Sequence, residues 1–269
     1  MACKDAYKNK TKNKAVENAQ PETQQAVAEL EVKMLLFGVD SKVPSNDVLQ
    51  NNITEFEWVT RNKLYPNFWG RNIIGEDSLT VEEIDFLHRM GCRIAAIYTD
   101  GDAKETEEQG KLCAKKAAVT ALRLGIHEGA AIFLEIAQTE AVTAEYMKGY
   151  AQTLINEGYT PAFKTITDAA AYGFDREYSR GMQSDKELFG RCLIWAVTPS
   201  LEEYERITTS HLIHPDNWVP YAPSGITRSD IAVWQYGKNC HPINDDAGKE
   251  TVFNLNLVRN PAVIINAMF

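Results

Sequence analysis

Residues 130–137 read Ala-Ala-Ile-Phe-Leu-Glu-Ile-Ala, and the fold turns on how they are read. Five apolar residues lead into Glu135 and two more follow it. So short and apolar a run is the pattern of a strand buried on both faces, as in a parallel sheet. An ionised carboxylate there is costly unless it is paired or stands at the strand's open end. In α/β folds that carboxyl end is where ligands bind. A Glu salt-bridged to a neighbouring Arg for stability alone accounts for the same residues equally well.

Working outward, apolar runs alternate with helical patterns. Met34–Asp40, Asn67–Ile73, Arg93–Tyr98, Ala130–Ala137, Thr160–Ile166, Leu193–Val197, Ile231–Tyr236 and Val252–Leu257 are strand candidates. Thr80 with Glu83 three residues later has the form of a capping box opening a helix that Gly91 closes. Residues 103–124 and 139–157 carry helical composition and end at Gly125 and Gly158. The strand ends at Asp40, Arg71, Tyr98, Glu135, Ile166, Trp195, Trp234 and Asn256 lie 31, 27, 37, 31, 29, 39 and 22 residues apart. Units of about 30 residues predict a single (β/α)8 TIM-type barrel, irregular in its last units. A doubly wound sheet fits the first half nearly as well. Residues 1–33, with Lys4, Lys8, Lys10, Lys12 and Lys14 followed by Gln- and Glu-rich sequence, predict a polar tail or helix ahead of a barrel over residues 34–269.

Composition narrows the function. A net charge of −9 argues against a nucleic-acid partner. No apolar run approaches the ~20 residues of a membrane span. The amino terminus lacks the apolar core of a secretory signal, so the reading is cytoplasmic, or export by a route not visible in the sequence. Five scattered cysteines, never in a C-x-x-C pair, point to free thiols. Cys113, inside a helical stretch, reads as packing rather than as a nucleophile. His211 and His214 with Asp216 or His241 form a weak metal-like spacing in a loop, so no metal and no cofactor is expected.

In a barrel the strand ends share one mouth. That mouth would hold Asp40, Arg71, Tyr98, Glu135, Trp195 and Trp234, with Asp100 and Asp102 just past the third strand. Two acids, a guanidinium and aromatic rings describe a glycan pocket: rings stack on sugar faces, and paired carboxylates hydrolyse the glycosidic bond. Trp195 and Trp234, each taken alone, read equally as core, and Arg71 as a counter-charge to Asp40 or Glu135. Strands 1 and 4 are not neighbours in a barrel, so a carboxyl separation of about 6–10 Å is expected for Asp40 and Glu135.

Gly38-Val-Asp40, Gly70-Arg71, Leu124-Gly-Ile126, Gly129-Ala-Ala-Ile-Phe-Leu-Glu135, Leu193-Ile-Trp-Ala196, Trp234-Gln-Tyr236 and Asn254-Leu-Asn256 follow one another in an order that resembles a known family. It is the glycoside-hydrolase-like domain-of-unknown-function family 1906, related to the lysozyme-type muramidases of glycoside hydrolase family 25. The resemblance spans residues 34 to about 258. It implies a β/α barrel with acids on strands 1 and 4, which fall on Asp40 and Glu135. The chain departs from the muramidases at two acids: Phe133 stands in the first position of their strand-4 Asp-x-Glu, and Asn254 in that of their closing Asp-Leu-Asn. The expectation is a glycosidase acting on a bacterial cell-wall or related polysaccharide, with Glu135 as general acid, Asp40 as its charged partner, and Arg71, Tyr98, Asp100, Asp102, Trp195, Trp234 and Gln235 binding substrate. The alternative is a sugar-binding barrel without catalysis, or a structural or delivery protein.

Overall fold

The computed structural model describes residues 35–99, 101–137, 141–168, 173–212, 217–242 and 251–269. The expected tail over 1–33, Asp100, His214 and Asp216 lie outside these residues. Strands β1 (Leu36–Asp40), β2 (Phe68–Asn72), β3 (Arg93–Thr99), β4 (Ala131–Glu135), β5 (Thr160–Thr165) and β6 (Leu193–Val197) pair in sequence order, all parallel. A two-residue strand, β7 (Arg206–Ile207), rides outside on β8 (Val233–Pro242), which pairs parallel with β6. The last strand, β9 (Phe253–Val258), runs antiparallel between β8 and β1 and closes the ring. The result is a closed mixed barrel of eight strands with helices between them. Each strand expected from the sequence is present, and the irregularity is the reversed direction of β9.

Helices α1 (Glu55–Arg61), α2 (Val81–Arg89), α3 (Glu107–Arg123), α4 (Ala144–Asn156) and α5 (Phe174–Ser184) surround the barrel, followed by the short α6 (Lys186–Phe189) and α7 (Pro261–Ile264). Thr54, Thr80, Thr106 and Thr143 cap the first four, each accepting a backbone N–H of the first turn. At Thr80 the capping box expected from the sequence is half formed. Thr80 accepts the Glu83 N–H, but the Glu83 carboxylate turns inward, to Arg71 and to the Ser45 N–H.

Side chains alternate across each strand, so every second residue enters the barrel. Phe68 of β2, Phe133 of β4 and Trp195 of β6 meet inside it, with Trp195 5.2 Å from Phe133 and 6.3 Å from Phe68 between ring centres. Alternate strands filling one layer is how such barrels are packed. Residues of opposite parity (Val39, Ile132, Leu134, Phe163 and Ile194) join the larger apolar layer under the helices. Behind α7 the chain turns under the amino ends of the strands. There Ala131 and Ile94 donate to the Ala267 and Phe269 carbonyls, and Ile264 and Met268 are buried against the inner layer. The opposite rim is left as the open end.

Candidate active site

Register decides which strand ends face the mouth. Asp40 pairs with Gly70 and Asn254, Thr99 with Glu135, Glu135 with Lys164, and Lys164 with Trp195. All of these share the inward parity. Toward the open end the strands turn Asp40, Asn72, Thr99, Glu135, Lys164, Gln235 and Asn254 inward, with Trp195 and Asn256 fully buried among them.

At the centre is Lys164, a residue the sequence reading passed over. Its Nζ donates to Asp40 Oδ2 at 2.8 Å and lies 3.1 Å from Glu135 Oε1. The same nitrogen stands 4.9 Å from the centre of the Trp195 ring, a cation–π distance. Burial by itself would lower the Lys164 pKa, but the Asp40 and Glu135 carboxylates outweigh it and hold the ammonium above its usual range. Asp40 is nearly sealed. Besides Lys164, the Asn254 side-chain amide donates to Oδ2 at 2.9 Å and that of Asn256 to Oδ1 at 2.7 Å. Asn256 in turn accepts from the Trp195 indole N–H at 2.9 Å, so aspartate, lysine, tryptophan and asparagine form a closed ring. Glu135 is the carboxylate that solvent reaches: its side chain is 33% exposed, and its Oε2 accepts from the Thr99 hydroxyl at 3.3 Å.

Two oxygens 2.8 and 3.1 Å from one nitrogen can be at most about 5.9 Å apart. These contacting oxygens thus fall at the near edge of the expected window of about 6–10 Å, because a shared ammonium draws the acids together. The site also explains one departure from the muramidase pattern. A carboxylate at position 254 would repel Asp40; the Asn254 amide donates to it.

Gly70 makes room for this arrangement. A Cβ at this position would come within 2.7 Å of Asp40 Cβ and 2.8 Å of the Trp195 ring. Gly70→Ala is expected to cost about 1–3 kcal/mol by overpacking, seen as a lowered denaturation midpoint. Unchanged stability would show that the ring and the acid can move apart.

Four expected site residues are elsewhere. Arg71, one residue past Gly70, points outward and is fully buried. Its Nε pairs with Glu83 at 2.9 Å, and its remaining nitrogens donate to the carbonyls of Ser41, Lys42 and Asp77 at 2.7, 2.9 and 2.6 Å. It ties the β1–α1 and β2–α2 loops together, and Lys164 takes the role expected of it beside Asp40. Tyr98 and Trp234 are also of outward parity and belong to the layer under the helices, where the Trp234 indole donates to the Thr198 carbonyl. Trp195 does face inward, but it is fully buried as the floor below Lys164, so it offers no face for stacking on a sugar. Asp102 lies past β3, exposed and paired with Lys116 at 3.0 Å. Gln235 faces inward in place of its neighbour Trp234, and its Oε1 is buried without a hydrogen-bond partner. Of the histidines, His211 closes its own turn, its Nδ1 accepting from the Thr208 N–H.

Next to the Arg71 clamp, Glu55 is buried with Oε1 accepting from the Ser41 hydroxyl at 2.6 Å. Burial pushes its pKa well above the usual carboxylate range, with the Ser41 hydrogen bond and Arg71 offsetting this only in part. An unfolded Glu ionises near ~4.3. Below that pH both states are protonated and no stability is lost. Above it the unfolded state sheds its proton first, so stability falls with rising pH until the folded group ionises too. Glu55→Gln should flatten that fall above about pH 4.3, where the unfolded carboxyl ionises, in urea titrations. An unchanged slope would mean the folded carboxyl is already charged there.

Lys164 could have been found by the signal that picked out Glu135. It is a lone charge at the end of an apolar run, Pro161-Ala-Phe-Lys164.

Known structures share this architecture. An uncharacterized B. stearothermophilus protein superposes with a TM-score of 0.68 at 21% identity, over 87% of this chain and 100% of that one. GHIP, a glycosyl hydrolase 25 of Streptococcus pneumoniae, gives 0.52 at 10% identity over 92% and 98%. The bacterial lysozyme from Streptomyces coelicolor gives 0.50 at 10% over 86% and 98%. At such identities the likeness is one of fold. No curated protein matches the chain. The family described as Rv2525c-like, glycoside hydrolase-like domain matches residues 65–250, most of the barrel. With that match, and with the inward acids of β1 and β4 in place, the chain belongs to the Rv2525c-like glycoside hydrolase-like family.

Proposed function

We propose that the protein hydrolyses glycosidic bonds in a bacterial cell-wall or related polysaccharide, with Glu135 delivering the proton to the leaving oxygen. The observation that carries this reading is the carboxylate pair at the open end of the barrel, one member reachable and one sealed. Asp40 already accepts three hydrogen bonds, two at Oδ2 and one at Oδ1, and is only 5% exposed, so it is poorly placed to attack a substrate. It acts through its charge, favouring the positive character that develops at the anomeric carbon, and not by forming a covalent bond to it. The attacking group is then water or an acetamido oxygen of the substrate itself.

The composition of the rim favours a neutral sugar. Lys164 spends its charge on Asp40 and Glu135, so no free cation among these rim residues invites an anionic group. Asn72 and Thr99 offer an amide and a hydroxyl, partners for neutral sugar hydroxyls and N-acetyl groups. A hydroxyl donated to Gln235 Oε1 would satisfy an acceptor that is otherwise buried and unmatched.

The test is release of reducing ends from purified peptidoglycan and from neutral N-acetylglucosamine oligomers, followed across pH 4–8 with mass spectrometry of the products. Saturable binding with no release at any pH would overturn hydrolysis. It would favour the second reading, a sugar-binding barrel, for which the specific observation is the capping of Asp40 by three donors.

A further inference from the structure

A polysaccharide extends well past the one bond that is cut, and Trp195, the floor of the site, is too deeply buried to hold the rest of it. Among the described residues, Tyr65, Tyr204 and Tyr221 are the exposed tyrosines. Tyr65 precedes β2, at the closed end of the barrel. Tyr204 and Tyr221 both lie on the connection from β6 to β8, past the carboxyl end of β6. Tyr204 stacks on His241 beside β7, the strand outside the ring. Tyr221 is held over the ring itself. We propose that Tyr221 is the stacking platform of a second sugar subsite, which grips a neutral glycan where it leaves the Asp40–Glu135 pair across β5 and β6. This rests on the reading of the open end as a glycan site.

The backbone places the ring. The Thr167 hydroxyl, just past the end of β5, donates to the Tyr221 carbonyl at 2.6 Å. The Tyr221 N–H donates to the hydroxyl of Thr198, the residue after β6, at 3.4 Å. Thr167 and Thr198 stand three residues beyond Lys164 and Trp195, which at ~3.3 Å per extended residue is at most about 10 Å further toward solvent. Tyr221 therefore clears the sugars at the cleaved bond and meets those further along the chain. The rest of its loop is equally fixed. The buried Trp218 donates its indole N–H to the Arg228 carbonyl at 2.8 Å, and Asp175 of α5 accepts from the Ser224 N–H and hydroxyl. Pro220 and Pro223 restrict the backbone between these anchors. Burial alternates along the segment: Trp218 and Pro220 face in, while Asn217, Val219 and Tyr221 face out. Val219 and Tyr221 are thus apolar side chains turned to water on a rigid loop, which core packing does not explain. A loop already ordered loses little entropy on gripping a ligand. The outward face carries no charge, and a tyrosine ring offers an apolar face to a sugar while its hydroxyl stays hydrated.

The experiment compares calorimetric binding of the neutral hexamer of N-acetylglucosamine to wild type, Tyr221→Ala, Tyr221→Phe and Tyr65→Ala. The anchors on Tyr221 are backbone atoms, so the substitutions keep the loop, and unchanged melting temperatures check this. Tyr221→Ala should weaken binding about tenfold, the scale of one well-packed aromatic contact. Where the hexamer is cleaved, KM should rise by the same factor with kcat unchanged. Tyr221→Phe keeps the ring and Tyr65→Ala lies at the other end, so both should match wild type. Equal affinity in wild type and Tyr221→Ala overturns the subsite, as does a loss in Tyr221→Phe or Tyr65→Ala as large as that in Tyr221→Ala. If wild type binds the hexamer without cleaving it, the hydrolase reading has failed and the binding comparison still decides the role of Tyr221. If wild type binds no hexamer, the glycan reading and this subsite are overturned together.

Discussion

Glu135→Gln abolishes turnover, with release of reducing ends expected to drop by a factor of about 10²–10⁴, the range a positioned proton donor supplies. The substitution is nearly isosteric and leaves the ring of Asp40, Lys164, Trp195 and Asn256 in place. The new amide can keep its contact with the Thr99 hydroxyl and give up only the capacity to ionise. Sugar binding should therefore stay within a few-fold of wild type, and the melting temperature should barely move. Kinetics on peptidoglycan beside calorimetric binding of a neutral oligomer separate the two effects. Activity within tenfold of wild type would remove Glu135 from the chemistry and leave it a binding residue.

Arg71→Met should lower stability by about 3–5 kcal/mol, the cost of stranding one partner of a buried ion pair. Both Arg71 and Glu83 are fully buried, so the Glu83 carboxylate has no solvent contact in the wild type to offset the loss of the guanidinium. Three loop carbonyls, those of Ser41, Lys42 and Asp77, lose their donor at the same time. Urea denaturation of the variant measures the loss directly. A cost under about 1 kcal/mol, the value of an exposed pair, would mean that water replaces the guanidinium. Restoring stability with Arg71→Met plus Glu83→Gln would show that the stranded charge is the cause.

Much of the fold was legible because parallel strands are apolar throughout and recur at the span of one strand–helix unit. That same continuity hid the site. A strand buried on both faces lacks the polar–apolar alternation that separates inward from outward residues. Arg71, Tyr98 and Trp234 were each placed in the mouth one residue out of phase. Their neighbours Gly70, Thr99 and Gln235 hold the inward positions. Trp195 had the right parity but the wrong depth, since height within a barrel depends on register between strands distant in sequence. The pairing of Arg71 with Glu83 instead of Asp40 is a choice between partners that spacing does not resolve. The reversal of β9 left a trace: the 22 residues between Trp234 and Asn256 are fewer than any other interval, short for a crossover helix and sufficient for an antiparallel return.

That reversed strand has a consequence for how the molecule is made. β9 pairs with β1 on one side and β8 on the other, so among the described strands the last in sequence is wedged beside the first. Until it leaves the ribosome, the nascent polypeptide is an open curl with two raw edges, β1 and β8, each able to recruit a foreign strand. Asp40 and Lys164 meet in that curl without Asn254 and Asn256, which arrive on β9. Closure thus joins residues 214 positions apart in sequence, such as Asp40 and Asn254, the kind of long-range joining that is slow and exposed to aggregation. Pulse-labelled chains stalled before residue 253 should bind chaperones that release them once β9 has emerged.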